Sequence, residues 1–331
     1  GSPKVVSLVD LAGHETYLKT TITGVISSYP DHGIVLVAKN ITKMTREHCS
    51  ILASMDIPVL FVLTKTDLVP DHLVNENIRL LTIMSKRFCK KLTHIRNNVD
   101  ARYCIDDDDK FGYIQISNKT GGNLDLLIDY ISMINKRPKN LVKGFMIDRI
   151  YTIVGFGLVV SGLTGVSITK GDAMVVGPFA NGEFVGAKIR TIHNDYRHFV
   201  DTLQPNVRGC LCIRLDAKYR EHLRVGMAVA HKQTDVNATT SFQAEVAIFR
   251  GRSSNIKKGY NSYINVGLSK GPVEFIRLRD STGVDVDVID TVGAVTVDMR
   301  FTNKPHCINI GDRFLFRSCR TMGIGRIVNI E

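Results

Sequence analysis

No apolar run in this 331-residue chain approaches the roughly 18 residues that a membrane-spanning helix needs. The N-terminus lacks the charged-then-apolar pattern of a secretory signal. Cysteine is sparse: the seven (Cys49, Cys89, Cys104, Cys210, Cys212, Cys307 and Cys319) are odd in number, scattered, and contain no CxxC pair. That spacing argues against a disulfide framework or a zinc site and for reduced thiols in a cytoplasmic compartment. Cys210 and Cys212 share one face of a strand and read as core residues. A further absence is chemical: the phosphate-binding loop G-x-x-x-x-G-K-[ST] occurs nowhere in the chain.

Positive charge, in contrast, is in excess. The net charge is +11, and it is unevenly spread: residues 1–139 carry 18 Lys and Arg against 15 Asp and Glu, residues 140–331 carry 25 against 17. A basic excess favours a polyanionic partner without identifying it, and an ordinary solvated basic surface explains the charge equally well.

The length predicts two or three domains. The first 139 residues alternate short apolar runs (VVSLV, GIVLVA from Gly33, IPVLFVLT from Ile57, GYIQIS from Gly112) with amphipathic segments. That alternation belongs to a parallel sheet covered by helices. Val74, Ile78, Leu81, Met84, Phe88 and Leu92 form one helical stripe. The polar tract Thr93 to Lys110, ending in DDDDK, reads as an exposed loop; it lacks the glycine turn and spaced ligands of a calcium loop.

After the basic linker KRPKN the pattern changes to short strands closed by Gly, Asn or Asp, including YTIVGFGLVVSGLTG, FQAEVAIFRG, VGAVTVDMRF and GDRFLFRS. Regular spacing of this kind predicts two β-barrels, divided near the polar stretch Thr234 to Ser241. The expected domains are therefore 1–139 (α/β), 140–236 (first barrel) and 237–331 (second barrel).

Three motifs close predicted strands. Asp10-Leu11-Ala12-Gly13 fits DxxG: the carboxylate suits a water-mediated magnesium contact, and a glycine amide can approach a third phosphate unobstructed. A strand-ending Asp is also a common turn residue. Thr64-Lys65-Thr66-Asp67 follows IPVLFVL; its carboxylate suits the two ring-edge donors of guanine, which adenine cannot supply, and the lysine stem can cover the base. Threonine stands where the usual N-K-x-D has asparagine. Ser117, Asn118 and Lys119 follow GYIQIS, where backbone amides would meet the guanine O6 oxygen; a plain loop with Asn118 and Gly121 at special backbone angles is the bland alternative. Singly each is weak. Together they stand in the order a GTPase requires, at strand ends where open α/β sheets bind ligands.

The order DLAGHE, TKTD, SNKTG, then VGFGLVVSGLTGVSITKGD and GDRFLFRSCRTMGIGRI, resembles a translational GTPase of the elongation factor Tu class. DLAGHETYLKTT and QISNKTGGNLDLL are most similar to its GTP-binding protein one and two branch. The resemblance implies a P-loop GTPase-type sheet followed by two barrels that move as a rigid body. It also implies GTP and GDP as ligands with Mg2+ as cofactor, Asp10 as the water-linked magnesium residue, Gly13 as phosphate sensor, and His14 as the catalytic residue orienting the attacking water. The implied GTP-binding set is Asp10, Leu11, Ala12, Gly13, His14, Thr64, Lys65, Thr66, Asp67, Ser117, Asn118 and Lys119.

Implied partners are the ribosome and transfer RNA or other RNA, with no membrane. HNDYRHFVD, containing His193, Arg197 and His198, is a candidate basic loop. The family places its phosphate loop upstream of DxxG. The expectation for this chain is therefore an N-terminally truncated GTPase domain with weak GTP binding, no useful hydrolysis and an exposed sheet edge. Alternatives are a GTP-regulated adapter in RNA surveillance or protein binding, the GTPase subunit of a sulfate-activating enzyme, and a nucleotide-free RNA-binding module.

Overall fold

A computed structural model describes residues 4–234, 236–248, 256–280, 282–289, 295–317 and 322–331. Cys319 and parts of the strands expected at FQAEVAIFRG and VGAVTVDMRF lie outside the described residues. The chain divides into two compact units, Gly1–Pro138 and Lys139–Glu331. Among the described residues no helix is long and apolar enough to cross a membrane.

The first unit holds α1 (Leu18–Ser28), β1 (Gly33–Val37), α2 (Lys43–Ser54), β2 (Val59–Leu63), α3 (Asp71–Arg87), β3 (Lys91–His94), α4 (Asn98–Ile105), β4 (Lys110–Gln115) and α5 (Leu124–Met133). The sheet order is β1-β2-β4-β3, all parallel. β2 reads VLFVL because it is central, and every one of its residues is buried. Helix ends carry local signals. Thr42 and Thr45 form a capping box at α2, and α3 begins with Asp71 and ends with Lys86 and Arg87, matching its dipole.

Three expectations are corrected here. VVSLV is not a buried strand: residues 4–13 have no regular structure, and Leu8 is 77% exposed. A segment apolar on both faces needs ladder partners, and β1 pairs only with β2 among the described residues. The helical stripe ends early, because α3 stops at Arg87 and Leu92 belongs to β3. The tract from Thr93 is not a plain loop. Asn97 caps α4 by accepting from the Val99 and Asp100 amides, and Ala101 and Cys104 bury one face against β2 and β4 residues Leu60, Val62 and Ile114.

The second unit contains two closed barrels. In the first, the strands run Val185–Asn194, Arg208–Arg214, Gly157–Thr164, Phe145–Ile153, Ala228–His231 and Ala173–Gly177, and the last pairs back onto the first. The second runs Ser241–Ile248, Val295–Phe301, Ser269–Arg279, Asn261–Val266, Arg313–Arg317 and Met322–Ile330, again closing on itself. Each has its own core: Phe145, Ile192 and Leu211 in the first, Phe242, Phe275 and Phe316 in the second. Of the two strand cysteines only Cys212 is buried. Cys210 is half-buried, and Leu211 and Ile213 line the interior instead.

Side chains staple the barrels together. The Arg224 guanidinium donates to the carbonyls of Pro178 (3.0 Å) and Pro305 (2.6 Å), and the Ser269 hydroxyl donates to the Gly226 carbonyl (3.4 Å). Gly226 sits at φ +87° with the Leu268 carbonyl only 2.9 Å from where a Cβ would stand, so no larger residue fits this crossing.

Candidate nucleotide site and aromatic patch

Because β1, β2 and β4 are parallel, the loops that follow β2 and β4 emerge at the same edge of the sheet. The Thr64 amide donates to Val37 O (2.8 Å), extending the ladder one residue beyond β2. Lys65 then turns at φ +58°, an uncommon left-handed conformation for a lysine. Thr66 ties the two loops: its amide (3.3 Å) and its hydroxyl (3.1 Å) both donate to Ile116 O. The threonine that interrupts the N-K-x-D pattern is thus held by backbone, and the bracing between loops comes from Thr66.

Asp67 and Ser117 meet directly. The Ser117 hydroxyl, almost fully buried, donates to Asp67 Oδ1 at 2.6 Å. Ser117 is itself held: its amide donates to Gly122 O (3.1 Å) and its Oγ accepts from the Thr120 amide (3.2 Å). Gly121 takes φ +78°, and Asn123 Nδ2 donates to Gln115 O (2.8 Å), closing the turn. No other hydrogen bond reaches the exposed Asp67 carboxylate among the described residues. One oxygen is oriented and acceptor capacity remains, which suits a ligand edge with two adjacent N–H donors. Lys65, Asn118 and Lys119 are exposed beside this clasp.

The DLAGHE stretch is held separately. Ala12 O accepts from the Thr21 hydroxyl (2.6 Å), and Leu11 packs against α1 at Gly24. His14 caps a short 3-10 turn, Glu15–Tyr17, where its Nδ1 accepts from the Thr16 amide (3.2 Å); Glu15 pairs with Lys43 (2.9 Å). Asp10 and Gly13 are exposed, and nothing within 4 Å crowds the Gly13 Cβ position. No hydrogen bond or ion pair joins residues 10–14 to 64–67 or 117–119 among the described residues. The structure therefore brings together two of the three motifs. Nor does it form a cluster of three metal-ligating side chains among the described residues.

The basic loop of the first barrel belongs to a surface that sequence reasoning saw only in part. Asn194 Oδ1 accepts from the amides of Tyr196 and His198 (both 3.0 Å), and Arg197 turns at φ +61°. His193 packs on Phe199 (centroids 4.0 Å), which stacks on Phe156 at 6.3 Å and 25°. Phe199 is 63% and Phe156 42% exposed, a large apolar surface to leave in water. In the sequence Phe156 stands between Gly155 and Gly157, and Phe199 follows Arg197 and His198; that turn and that basic neighbourhood are the signals that could have marked them.

Residues 1–136 match the elongation factor Tu GTP binding domain. The chain is 28% identical to GTP-binding protein 1 of Xenopus laevis across 99% of its own length and 50% of that protein. It is 27% identical to GTP-binding protein 2 of Mus musculus, covering 100% of this chain and 56% of that one. The chain thus spans about half the length of the curated relatives it matches. Its fold is similar to translation elongation factor SelB from Methanococcus maripaludis in the apo form (TM-score 0.68, 19% identity, 98% of this chain and 70% of that chain). A bacterial selenocysteine-specific elongation factor, EF-Sec, is similar as well (TM-score 0.66, 19% identity, 95% and 47%). Residues 1–136 thus carry the match to the elongation factor Tu GTP binding domain, and the chain as a whole is similar in sequence to GTP-binding proteins 1 and 2.

Proposed function

We propose that the protein is a GTP-hydrolysing factor of the cytoplasm that works with the ribosome and transfer RNA or another RNA. The observation that carries the nucleotide half is the Asp67–Ser117 clasp at the ends of adjacent parallel strands. In this reading Asp67 accepts from the guanine edge, the Lys65 stem lies over the base, and the turn amides of Ser117, Asn118 and Lys119 face O6. Thr64 and Thr66 hold the loop. Asp10, exposed and without a hydrogen bond among the described residues, has the donor chemistry to hold Mg2+ through a water. That ion supplies charge neutralisation to the phosphates. Leu11 and Ala12 fix the loop on α1, Gly13 offers its amide to the third phosphate, and His14 orients the attacking water.

Guanine recognition and phosphate binding are separable in these 331 residues, since no G-x-x-x-x-G-K-[ST] motif supplies amides and a lysine to the phosphates. We therefore propose low GTP affinity and negligible turnover for the chain alone. Fluorescent GDP titrated with magnesium against the chain, and against a version carrying a phosphate-loop segment upstream, tests this. Tight binding only by the second supports the reading; tight binding by the chain alone refutes it.

The RNA half rests on the Phe156–Phe199–His193 patch with Arg197 at its rim, and on the basic excess of residues 140–331. Aromatic faces stack unpaired bases while cations hold the backbone. Anisotropy of a labelled single-stranded RNA should show salt-dependent binding that Phe199→Ala weakens about tenfold. Binding unchanged by that substitution favours the adapter reading, in which the output is a protein contact.

A further inference from the structure

We infer that the outer face of α4 and the aspartate turn after it form a docking groove for a basic, amphipathic segment of another protein. α4 is fixed from within by buried Ala101 and Cys104, and Asn98 Nδ2 donates to Asp129 of α5 at 2.9 Å. Its outward residues at i and i+4 are apolar and uncovered: Val99 is 78% and Tyr103 58% exposed. They line an open groove of about 770 Å³ together with Arg102, Asp106, Asp107 and Asp108.

The groove is preorganised. Lys110, only 6% exposed, places Nζ 3.0 Å from the Tyr103 ring centroid and donates to Asp107, so one buried amine fixes both an apolar wall and an acidic one. Its charge runs against the rest of the molecule: residues 98–110 hold five aspartates against Arg102 and Lys110, in a chain of net +11. Asp108 and Asp109 pair with Arg137 (3.2 Å) and Lys90 (3.6 Å), but their side chains are 69% and 87% exposed, and such pairs exchange readily for a partner's cations. Asp106 has no ion pair among the described residues.

The acidic rim repels a phosphate backbone, so nucleic acid is the wrong occupant. A peptide presenting an aliphatic or aromatic residue to Val99 and Tyr103, with Lys or Arg beside it for Asp106 and Asp108, matches both surfaces. The nucleotide loops and the barrel patch use none of these residues.

The test titrates the full chain with a labelled amphipathic Lys/Leu peptide, its Glu/Leu counterpart and a labelled oligouridylate. Only the Lys/Leu peptide should bind, with hydrogen-exchange protection at residues 98–109. Asp106→Lys with Asp108→Lys should weaken it at least tenfold at unchanged Tm, since both side chains are exposed. Tyr103→Ala should weaken it too, and Arg102→Glu should tighten it severalfold. Affinity unmoved by both charge changes, or protection elsewhere, overturns the inference, as does oligouridylate protecting residues 98–109.

Discussion

The barrels close their main sheets on themselves, whereas the sheet of the first unit ends at β1 with apolar side chains in water. Leu36 is 66% exposed and Ile34 37%, while Phe242, Phe275, Phe314 and Phe316 of the second barrel are at most 1% exposed. A closed barrel finds its hydrogen-bond partners within its own strands and needs nothing further to bury its core. The first unit is different. The loops after β2 and β4 are braced by one another through Thr66 and the Asp67–Ser117 bond, whereas the DLAGHE segment is held by the Thr21 hydroxyl of α1 and the Glu15–Lys43 pair at α2.

Replacing one buried and one exposed large apolar residue is the strongest way to break this contrast. Phe275→Ala should cost the barrel unit about 3–5 kcal/mol and lower its Tm sharply, whereas Leu8→Ser should change stability by less than about 0.5 kcal/mol. Calorimetry on each variant decides, and a large loss from Leu8→Ser would mean residues 4–13 are packed. Next in size is the staple between barrels. Arg224→Ala leaves the Pro178 and Pro305 carbonyls without their donor and should cost about 2–3 kcal/mol in denaturant unfolding, splitting a single barrel transition into two.

A pH-dependent effect sharpens the picture of the second barrel. Asp312 accepts from the Asn309 amide and from Asn140 Nδ2, yet burial pushes its carboxyl up to about 7. The folded state then holds a proton that the unfolded chain has released, so this group's contribution is present below the ordinary carboxylate range and is lost as pH rises through about 7. Asp312→Asn should gain on the parent chain as pH rises from about 4 to about 7, at roughly 1.4 kcal/mol per pKa unit. A stability difference flat with pH would contradict it. The smallest expected effect is Ser117→Ala, about 1 kcal/mol in stability, with loss of the ordered Asp67 oxygen.

Much of this architecture is legible from pattern. VLFVL is a strand because a parallel strand buried on both faces must be apolar throughout, GIVLV keeps the same pattern although only alternate residues are buried, and the glycine-punctuated strands after residue 140 close into barrels. VVSLV carries the same local pattern as VLFVL and misleads, because a ladder partner is a non-local property that five residues cannot encode. α4 was readable: Asn97 followed by Ala101, Cys104 and Ile105 is a capped helix with one apolar face, hidden by the charge of DDDDK behind it. The Asp67–Ser117 bond joins residues fifty apart, so the motifs named its members without showing that they touch. The stacking of Phe156 on Phe199 is likewise a product of strand register, invisible along the chain.

The central claim is that guanine is selected where Asp67 and Ser117 meet. Amide chemical shifts of the chain, recorded with millimolar GDP and separately with ADP, test it even when binding is weak. GDP should shift residues 64–67 and 117–120 and ADP should not, with the GDP response abolished by Asp67→Ala. Equal responses to both nucleotides, or a GDP response that survives Asp67→Ala, would contradict the account.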